Sequence, residues 1–192
     1  MRVQQAIEQS IRVKQDILSD PHFAERIQQC ADMIVSTYKA NGKVLFCGNG
    51  GSAADAQHLA AELSGRFYFD RPPLYAEALH VNTSFLTAVA NDYSYDQVFE
   101  RMIKASGRQN DVLVGISTSG NSRNVILAMQ QAKLKGMHTI AFTGKGGGKM
   151  KDCADILLDV PSLDTPRIQE AHIMIGHIIC ELTESALFGD KK

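Results

Sequence analysis

Two polar loops of the chain carry groups that can bind an anion. One reads Gly48-Asn49-Gly50-Gly51-Ser52, the other reads Ser117-Thr118-Ser119-Gly120-Asn121-Ser122, and each follows a short apolar run. Glycines let the backbone approach a ligand closely, and a helix that begins after such a loop presents free N–H groups to an anion. The hydroxyls of the second loop add donors that need no formal positive charge. Although Ser and Asn are also ordinary helix caps, two such loops predict a site for a phosphate or another anion.

Residues that can transfer protons or bind a metal lie on segments with a helical pattern. His58 and Glu62 are four residues apart, so both side chains project from one face of the helix after the first loop. The last helix adds Gln169, His172 and His177 to a largely apolar background. These residue types indicate acid–base or metal chemistry. The alternatives are that His58 and Glu62 form a surface pair with only local hydrogen bonds, and that a histidine of the last helix is a buried core residue.

The sequence excludes the two common nucleotide-binding motifs. Ala53 stands where a GxGxxG fingerprint needs its third glycine, and no GxxxxGK[ST] motif is present. A third glycine cluster at 144–148 has no helix of suitable length behind it. We predict a flexible rim loop there, with Lys145 and Lys149 solvated.

Composition and cysteine usage narrow the class of protein. Twenty Lys and Arg against 21 Asp and Glu give a formal charge of −1, which removes the cationic field that non-specific nucleic-acid binding uses. The sequence has no signal-peptide core and no apolar stretch long enough to span a membrane. The cysteines are widely spaced, which indicates buried reduced thiols. A cytoplasmic protein is therefore expected.

The elements that must position these residues follow from hydrophobic patterning. Helical spacing over 3–18 and through Ile27, Cys30, Ile34 and Tyr38 predicts an N-terminal helical hairpin, ended by Asn41-Gly42. Short apolar runs without polar alternation predict buried parallel strands at 44–47, 76–79, 112–116, 139–142 and 156–160. Helices are predicted at 53–65, 83–90, 95–106, 122–135 and 166–187, with a short turn at 150–153. Length and alternation predict one domain over 1–192 whose core, 42–192, is a doubly wound five-stranded parallel α/β sheet.

Together these motifs resemble a known family. The segments that carry the resemblance are 47–58 (CGNGGSAADAQH), 62–66 (ELSGR), 90–93 (ANDY), 115–122 (GISTSGNS) and 167–170 (RIQE). The chain closely resembles the sedoheptulose-7-phosphate isomerases, or phosphoheptose isomerases, of the SIS superfamily, whose sheet is flavodoxin-like. The resemblance runs over essentially the whole length, including the N-terminal hairpin and the last helix.

The resemblance implies an activity, an assembly and a role for each matching residue. The activity is conversion of D-sedoheptulose 7-phosphate to D-glycero-D-manno-heptose 7-phosphate, for bacterial surface polysaccharides such as lipopolysaccharide. The assembly is a homotetramer with active sites between subunits, in which hairpin 1–41 serves oligomerisation. The phosphate contacts are Ser117, Thr118, Ser119 and Ser122, and the sugar contacts are Asn49, Gly50, Gly51, Glu62, Asn91, Asp92 and Gln169, with Arg66 as a weaker candidate.

The resemblance also implies the reacting groups. Glu62 and His177 correspond to the acid–base pair, and His58, Glu62, Gln169 and His177 correspond to the ligands of one zinc ion per subunit. An enediol mechanism agrees with this, because it needs a base over the carbons and an acid near the oxygens. Gln169 and His177 are about 12 Å apart along a helix at 1.5 Å per residue. His172 is therefore kept as a lesser alternative ligand.

The sequence departs from the family at 80–84 (HVNTS), where a Thr-Thr-Asp run is usual. This departure bears on the sugar contacts of that loop and on the choice of sugar. Two other functions remain open: isomerisation of another ketose phosphate, and a non-catalytic SIS-domain protein that binds a replication initiator. The presence of all four expected metal ligands favours the enzyme.

Overall fold

The computed structural model describes residues 1–189, which form seven α-helices around one five-stranded sheet. The elements in chain order are α1 (Arg2–Ser19), α2 (Pro21–Lys39), β1 (Val44–Gly48), α3 (Gly51–Ser64), β2 (Ala76–Ala78), α4 (Thr83–Asp92), α5 (Val98–Ser106), β3 (Val112–Ser117), α6 (Arg123–Leu134), β4 (His138–Thr143), β5 (Ile156–Asp159) and α7 (Thr165–Phe188). Short 3-10 turns lie at Tyr95–Gln97 and Gly148–Cys153.

All strand pairs of the sheet are parallel, in the order β2-β1-β3-β4-β5. Every residue of β1 and β3 is buried, which explains why neither strand shows polar alternation. The strand order reverses at the neighbouring pair β1 and β3. In an open parallel sheet, ligands bind beyond the carboxyl ends of the strands at this switch point.

Helices cover both faces of the sheet, so the predicted doubly wound fold is confirmed. On one face, Phe46 and Val114 belong to a core shared with α1, α2, α3 and α7. On the other face, Leu45 and Leu113 belong to a core shared with α4, α5 and α6. The N-terminal hairpin therefore packs on the same face as α3 and α7, the helices that carry the candidate acid–base residues.

The structure corrects several predicted element boundaries. Helix α3 begins at Gly51 rather than at 53, so the second half of the first glycine loop is already helical. Helix α4 extends to Asp92, which places Asn91 on its last turn. The predicted helix 95–106 is divided between a 3-10 turn and α5. In the unusual stretch 80–84, the Asn82 side chain accepts a hydrogen bond from the Phe85 N–H and caps α4.

Helix α7 is the longest helix, at 24 residues. Within residues 1–189, no helix combines the length and the apolarity that crossing a bilayer requires.

Candidate active site

The first glycine loop is joined by side-chain amides to the first turn of α6, which follows the serine loop. Asn49 and Asn124 exchange two hydrogen bonds, of 3.0 and 2.9 Å, between the end of β1 and the start of α6. The Tyr95 hydroxyl also donates to Asn49 Oδ1, at 3.1 Å. These bonds fix the side chain of the predicted sugar contact Asn49: its Oδ1 accepts from Asn124 and Tyr95, and its Nδ2 donates once, to Asn124. Neither Asn124 nor Tyr95 was among the predicted site residues, although Asn124 is only two residues beyond the serine loop.

The hydroxyls of the serine loop converge on one another. Ser117 Oγ lies 2.8 Å from Ser122 Oγ and 3.4 Å from Ser119 Oγ. Ser122 is also the N-cap residue of α6, whose first N–H groups have no partner within the helix. Hydroxyls and free N–H groups therefore lie at one point, as an anion site requires. The Thr118 side chain makes no hydrogen bond among the described residues, while its carbonyl accepts one from the Gly144 N–H.

The third glycine cluster, which was predicted as a flexible rim loop, packs against the serine loop. The Met150 N–H donates to the Gly120 carbonyl. An added Cβ on Gly148 would come within 2.6 Å of both the Ser119 and the Gly120 carbonyl oxygens, which only a residue without a side chain tolerates. Lys145 and Lys149 are exposed, as expected. The glycines at 144–148 thus support the predicted phosphate loop.

Helices α3 and α7 bring three of the predicted metal ligands together. His58 Nε2 lies 2.9 Å from His177 Nε2 and 3.2 Å from Glu62 Oε1. One ligand atom of each of the three side chains lies within 4.8 Å of the others. Gly176 of α7 permits this approach because it has no side chain. A Cβ there would come within 2.5 Å of Leu59 on α3. We refer to His58, Glu62 and His177 as the α3/α7 cluster.

The donor set of the α3/α7 cluster suits a divalent cation. Two imidazole nitrogens and a carboxylate oxygen face one another, and at most one proton can lie between the two nitrogens. A His2Glu set is found in zinc enzymes. The fourth predicted ligand, Gln169, lies against the first turn of α3, where a Cβ on Gly51 would come within 2.5 Å of its Nε2.

Asp55 lies on the same face of α3, one turn before His58. One oxygen, Oδ2, is buried without a hydrogen-bond partner among the described residues. Burial raises the pKa of this carboxyl to about 6, against a smaller lowering by the neighbouring His58 charge. Sequence reasoning missed Asp55, although its spacing of three residues from His58 was a usable signal.

The remaining predicted residues lie away from these contacts. Asn91 donates to Asp92 Oδ1 at 2.8 Å on the exposed end of α4, and within the described chain no side-chain hydrogen bond joins the pair to either loop. Arg66 is exposed just beyond α3. His172 is a core residue whose Nε2 lies 3.0 Å from the Thr143 carbonyl, and burial lowers its pKa to about 4.

Comparison with other proteins identifies the family. A family model described as SIS domain matches residues 9–144. The phosphoheptose isomerase of Clostridium acetobutylicum is 54% identical over 189 residues, which are 98% of this chain and 96% of that protein. The phosphoheptose isomerase of Mycobacterium bovis is 52% identical over 184 residues, which are 96% and 94% of the two proteins.

Solved structures agree with the sequence relatives. The phosphoheptose isomerase of Neisseria gonorrhoeae superimposes with a TM-score of 0.90 at 47% identity, covering 96% of this chain and 97% of that one. The phosphoheptose isomerase of Francisella tularensis gives a TM-score of 0.91 at 37% identity over the same shares of the two chains. The chain therefore belongs to the phosphoheptose isomerases, a family of sugar-phosphate isomerases built on the SIS fold.

Proposed function

We propose that this chain converts D-sedoheptulose 7-phosphate to D-glycero-D-manno-heptose 7-phosphate through an enediol. The observation that carries the proposal is the α3/α7 cluster, in which a carboxylate and two imidazoles meet within 4.8 Å. The serine loop supplies the second half of the site, one strand away along the sheet. The product would serve heptose synthesis for surface polysaccharides such as lipopolysaccharide. The reaction is placed in the cytoplasm, where the buried free thiols would remain reduced.

The chemistry divides between two groups of residues. Glu62 acts as the base that moves a proton between adjacent carbons, and His177 acts as the acid near the oxygens. Ser117, Thr118, Ser119 and Ser122 bind the phosphate with hydroxyls and backbone N–H groups. Contacts with the sugar are assigned to Asn49, Gly50, Gly51, Asn91, Asp92 and Gln169.

One zinc ion per subunit is proposed, with His58, Glu62, Gln169 and His177 as its ligands. When bound, the ion would hold the substrate oxygens or polarise the carbonyl. The convergence of two imidazoles and a carboxylate supports this assignment. His172 is set aside as an alternative ligand because its Nε2 faces the Thr143 carbonyl in the core.

A homotetramer with active sites between subunits is proposed, with hairpin 1–41 as the oligomerisation element. Exposed apolar side chains on α1 support it: Val3, Ile7, Ile11 and Leu18. A groove of about 490 Å³ beside them is lined mainly by apolar side chains of α1, α2 and α7. Light scattering of the purified chain tests the assembly, and a monomeric mass would contradict it.

The activity is tested by assaying a panel of ketose phosphates with and without a chelator. We expect turnover of sedoheptulose 7-phosphate in preference to shorter ketose phosphates, with loss of rate after chelation. Turnover of another ketose phosphate alone would replace the substrate. No turnover of any substrate, together with capture of a replication initiator, would overturn the enzyme assignment.

A further inference from the structure

A buried ion pair joins the segment after α3 to the C-terminal half of α7. Arg71 Nε donates to Glu184 Oε1 at 2.9 Å, and both side chains are 1% exposed. A buried ion pair contributes little net stability compared with a well-packed apolar pair. The contacts of the pair, rather than its charges alone, therefore indicate its role.

The Arg71 guanidinium holds the C-terminal end of α3. Its Nη2 donates to the main-chain carbonyl of Glu62 at 2.9 Å, and its Nη1 donates to those of Leu63 at 2.7 Å and Gly65 at 3.0 Å. The last carbonyls of a helix have no partner within the helix. Arg71 supplies that partner at Glu62 itself, and so fixes the backbone from which the Glu62 carboxylate projects.

The Glu184 carboxylate holds the chain that follows α3. It accepts hydrogen bonds from the N–H groups of Phe67 at 2.9 Å, Tyr68 at 2.6 Å and Phe69 at 3.0 Å. Burial raises the pKa of Glu184, but these three bonds and Arg71 outweigh burial, so the net pKa is below its ordinary value. The carboxylate is thus held ionised in the interior.

Phe67 connects this carboxylate to the α3/α7 cluster. Its ring centroid lies 5.8 Å from that of His177, whose own ring lies 5.1 Å from that of His58. Glu184 is seven residues after His177, two turns along the same face of α7. Glu184 therefore fixes the aromatic ring that packs beside the imidazole.

We infer that Arg71 and Glu184 are positioning residues for isomerisation. Arg71 positions Glu62 through its carbonyl, and Glu184 positions His177 through Phe67. Proton transfer depends on the placement of both groups, and a misplacement of about 1 Å can cost roughly a hundredfold in rate. The inference rests on the proposed function in taking Glu62 and His177 as the reacting pair.

A second buried ion pair provides a matched control. Lys43 Nζ lies 2.6 Å from Asp111 Oδ2, with side chains 9% and 3% exposed. Asp111 also accepts main-chain N–H bonds, from Lys43 and Arg108. This pair lies at the amino ends of β1 and β3, because Val44 pairs with Val112 there. The Lys43–Asp111 pair is therefore chemically similar to the Arg71–Glu184 pair, but it lies at the edge of the sheet opposite the site.

The test compares Glu184→Gln with Asp111→Asn. We expect both variants to unfold at a lower temperature, but only Glu184→Gln to lower kcat on sedoheptulose 7-phosphate, by about ten- to a hundredfold, with KM unchanged within about twofold. Only Glu184→Gln should shift the NMR resonance of the His177 ring, assigned with His177→Gln. Equal losses of kcat in both variants, or an unshifted His177 resonance in Glu184→Gln, would overturn the inference.

A milder pair of variants covers the case in which Glu184→Gln does not fold. Phe67→Leu removes the ring beside His177 but keeps the main-chain N–H that Glu184 accepts, and Phe69→Leu is its control. We expect the first to shift the His177 resonance and lower kcat by several fold, and the second to do neither. An unshifted resonance in Phe67→Leu contradicts the inference.

The two proposals fail in different ways. If the wild-type chain turns over no heptulose phosphate, the proposed function is wrong, while the His177 resonance still tests the positioning role. If wild type is active and Glu184→Gln is as active as Asp111→Asn, only the positioning role is wrong.

Discussion

The serine loop and the α3/α7 cluster differ in how the chain assembles them. The serine loop is a run of consecutive residues, 117–122, whose ligand groups are hydroxyls and backbone N–H groups. The α3/α7 cluster joins side chains 119 residues apart, and all of its groups are ionisable. Binding an anion can therefore be encoded locally, whereas the proposed proton transfer depends on two helices meeting at a fixed distance.

The difference has a physical cause. Backbone N–H groups at a helix start are aimed by local conformation, so they bind an anion wherever the loop forms. Side chains on separate helices approach within hydrogen-bond distance only if packing holds the helices, as Gly176 and the Arg71–Glu184 pair do here. The two regions should therefore respond differently to substitution.

The largest expected effect is on catalysis at the α3/α7 cluster. Glu62→Gln keeps the shape of the side chain but removes the carboxylate that we propose as the base, so kcat should fall roughly a thousandfold with KM changed by less than about threefold. Steady-state kinetics on sedoheptulose 7-phosphate measures both. Glu181→Gln, which removes an exposed carboxylate of α7, is the control. If Glu62→Gln raised KM and left kcat unchanged, the α3/α7 cluster would act in binding, as proposed for the serine loop, and the distinction between the two regions would be wrong.

The next effect tests how far the serine loop is self-contained. Gly120 has a φ of +65°, and a Cβ there would collide with the Gly147 carbonyl. Gly120→Ala should lower the free energy of unfolding by about 3 kcal/mol, from the left-handed backbone and the clash together. Gly146→Ala is the control, because Gly146 has a φ of +84° but open space around it. Gly146→Ala should lower the free energy of unfolding, measured with urea, by only about 1 kcal/mol. Equal losses would show that the loops do not support each other.

A third prediction separates the two histidines of α7. Buried His172 has a pKa of about 4, below its ordinary 6.5, so between these values the unfolded chain binds a proton that the folded chain does not. Stability gained from this residue is complete above pH 6.5 and declines as the pH falls towards 4, by roughly 2 to 3 kcal/mol. His172→Gln should flatten that decline while sparing kcat at neutral pH. Parallel pH profiles of unfolding for the two proteins would contradict the assignment.

The smallest effect is expected at a single hydroxyl of the serine loop. Ser119→Ala removes one of the donors that we propose for the phosphate, so KM should rise about tenfold, as for one hydrogen bond to a charged group, with kcat within about threefold. Ser106→Ala, whose hydroxyl bonds within α5, is the control. Calorimetry with inorganic phosphate should show the same ratio. A fall in kcat at constant KM would assign Ser119 to the reacting end instead.

Particular residues show how much the sequence predicted. The five strands, the hairpin and the loop at 117–122 follow from local patterns, because burial on both faces and capping are read from neighbouring residues. The spacing of His58 and Glu62 predicted their shared face, which is confirmed. The contact of the glycines at 144–148 with Ser119 and Gly120 was not predicted, since it joins the loops that follow two different strands, β3 and β4.

Other site residues carry no local signal. Arg71 follows α3 as an ordinary charged loop residue, and Glu184 is one carboxylate on a mostly apolar helix. Their roles appear only when the carbonyls of α3 and the N–H groups of 67–69 surround them. The link of Asn124 and Tyr95 to the site likewise appears only from their hydrogen bonds with Asn49.

The sequence by itself determined the family, the parallel sheet and the chemical types of the site, because short-range periodicity and consecutive motifs specify them. Only the tertiary structure decided that His58, Glu62 and His177 meet, that His172 is a core residue and that a buried ion pair holds α3 against α7. Such distances depend on packing between segments far apart in the chain, and no spacing along one helix encodes them.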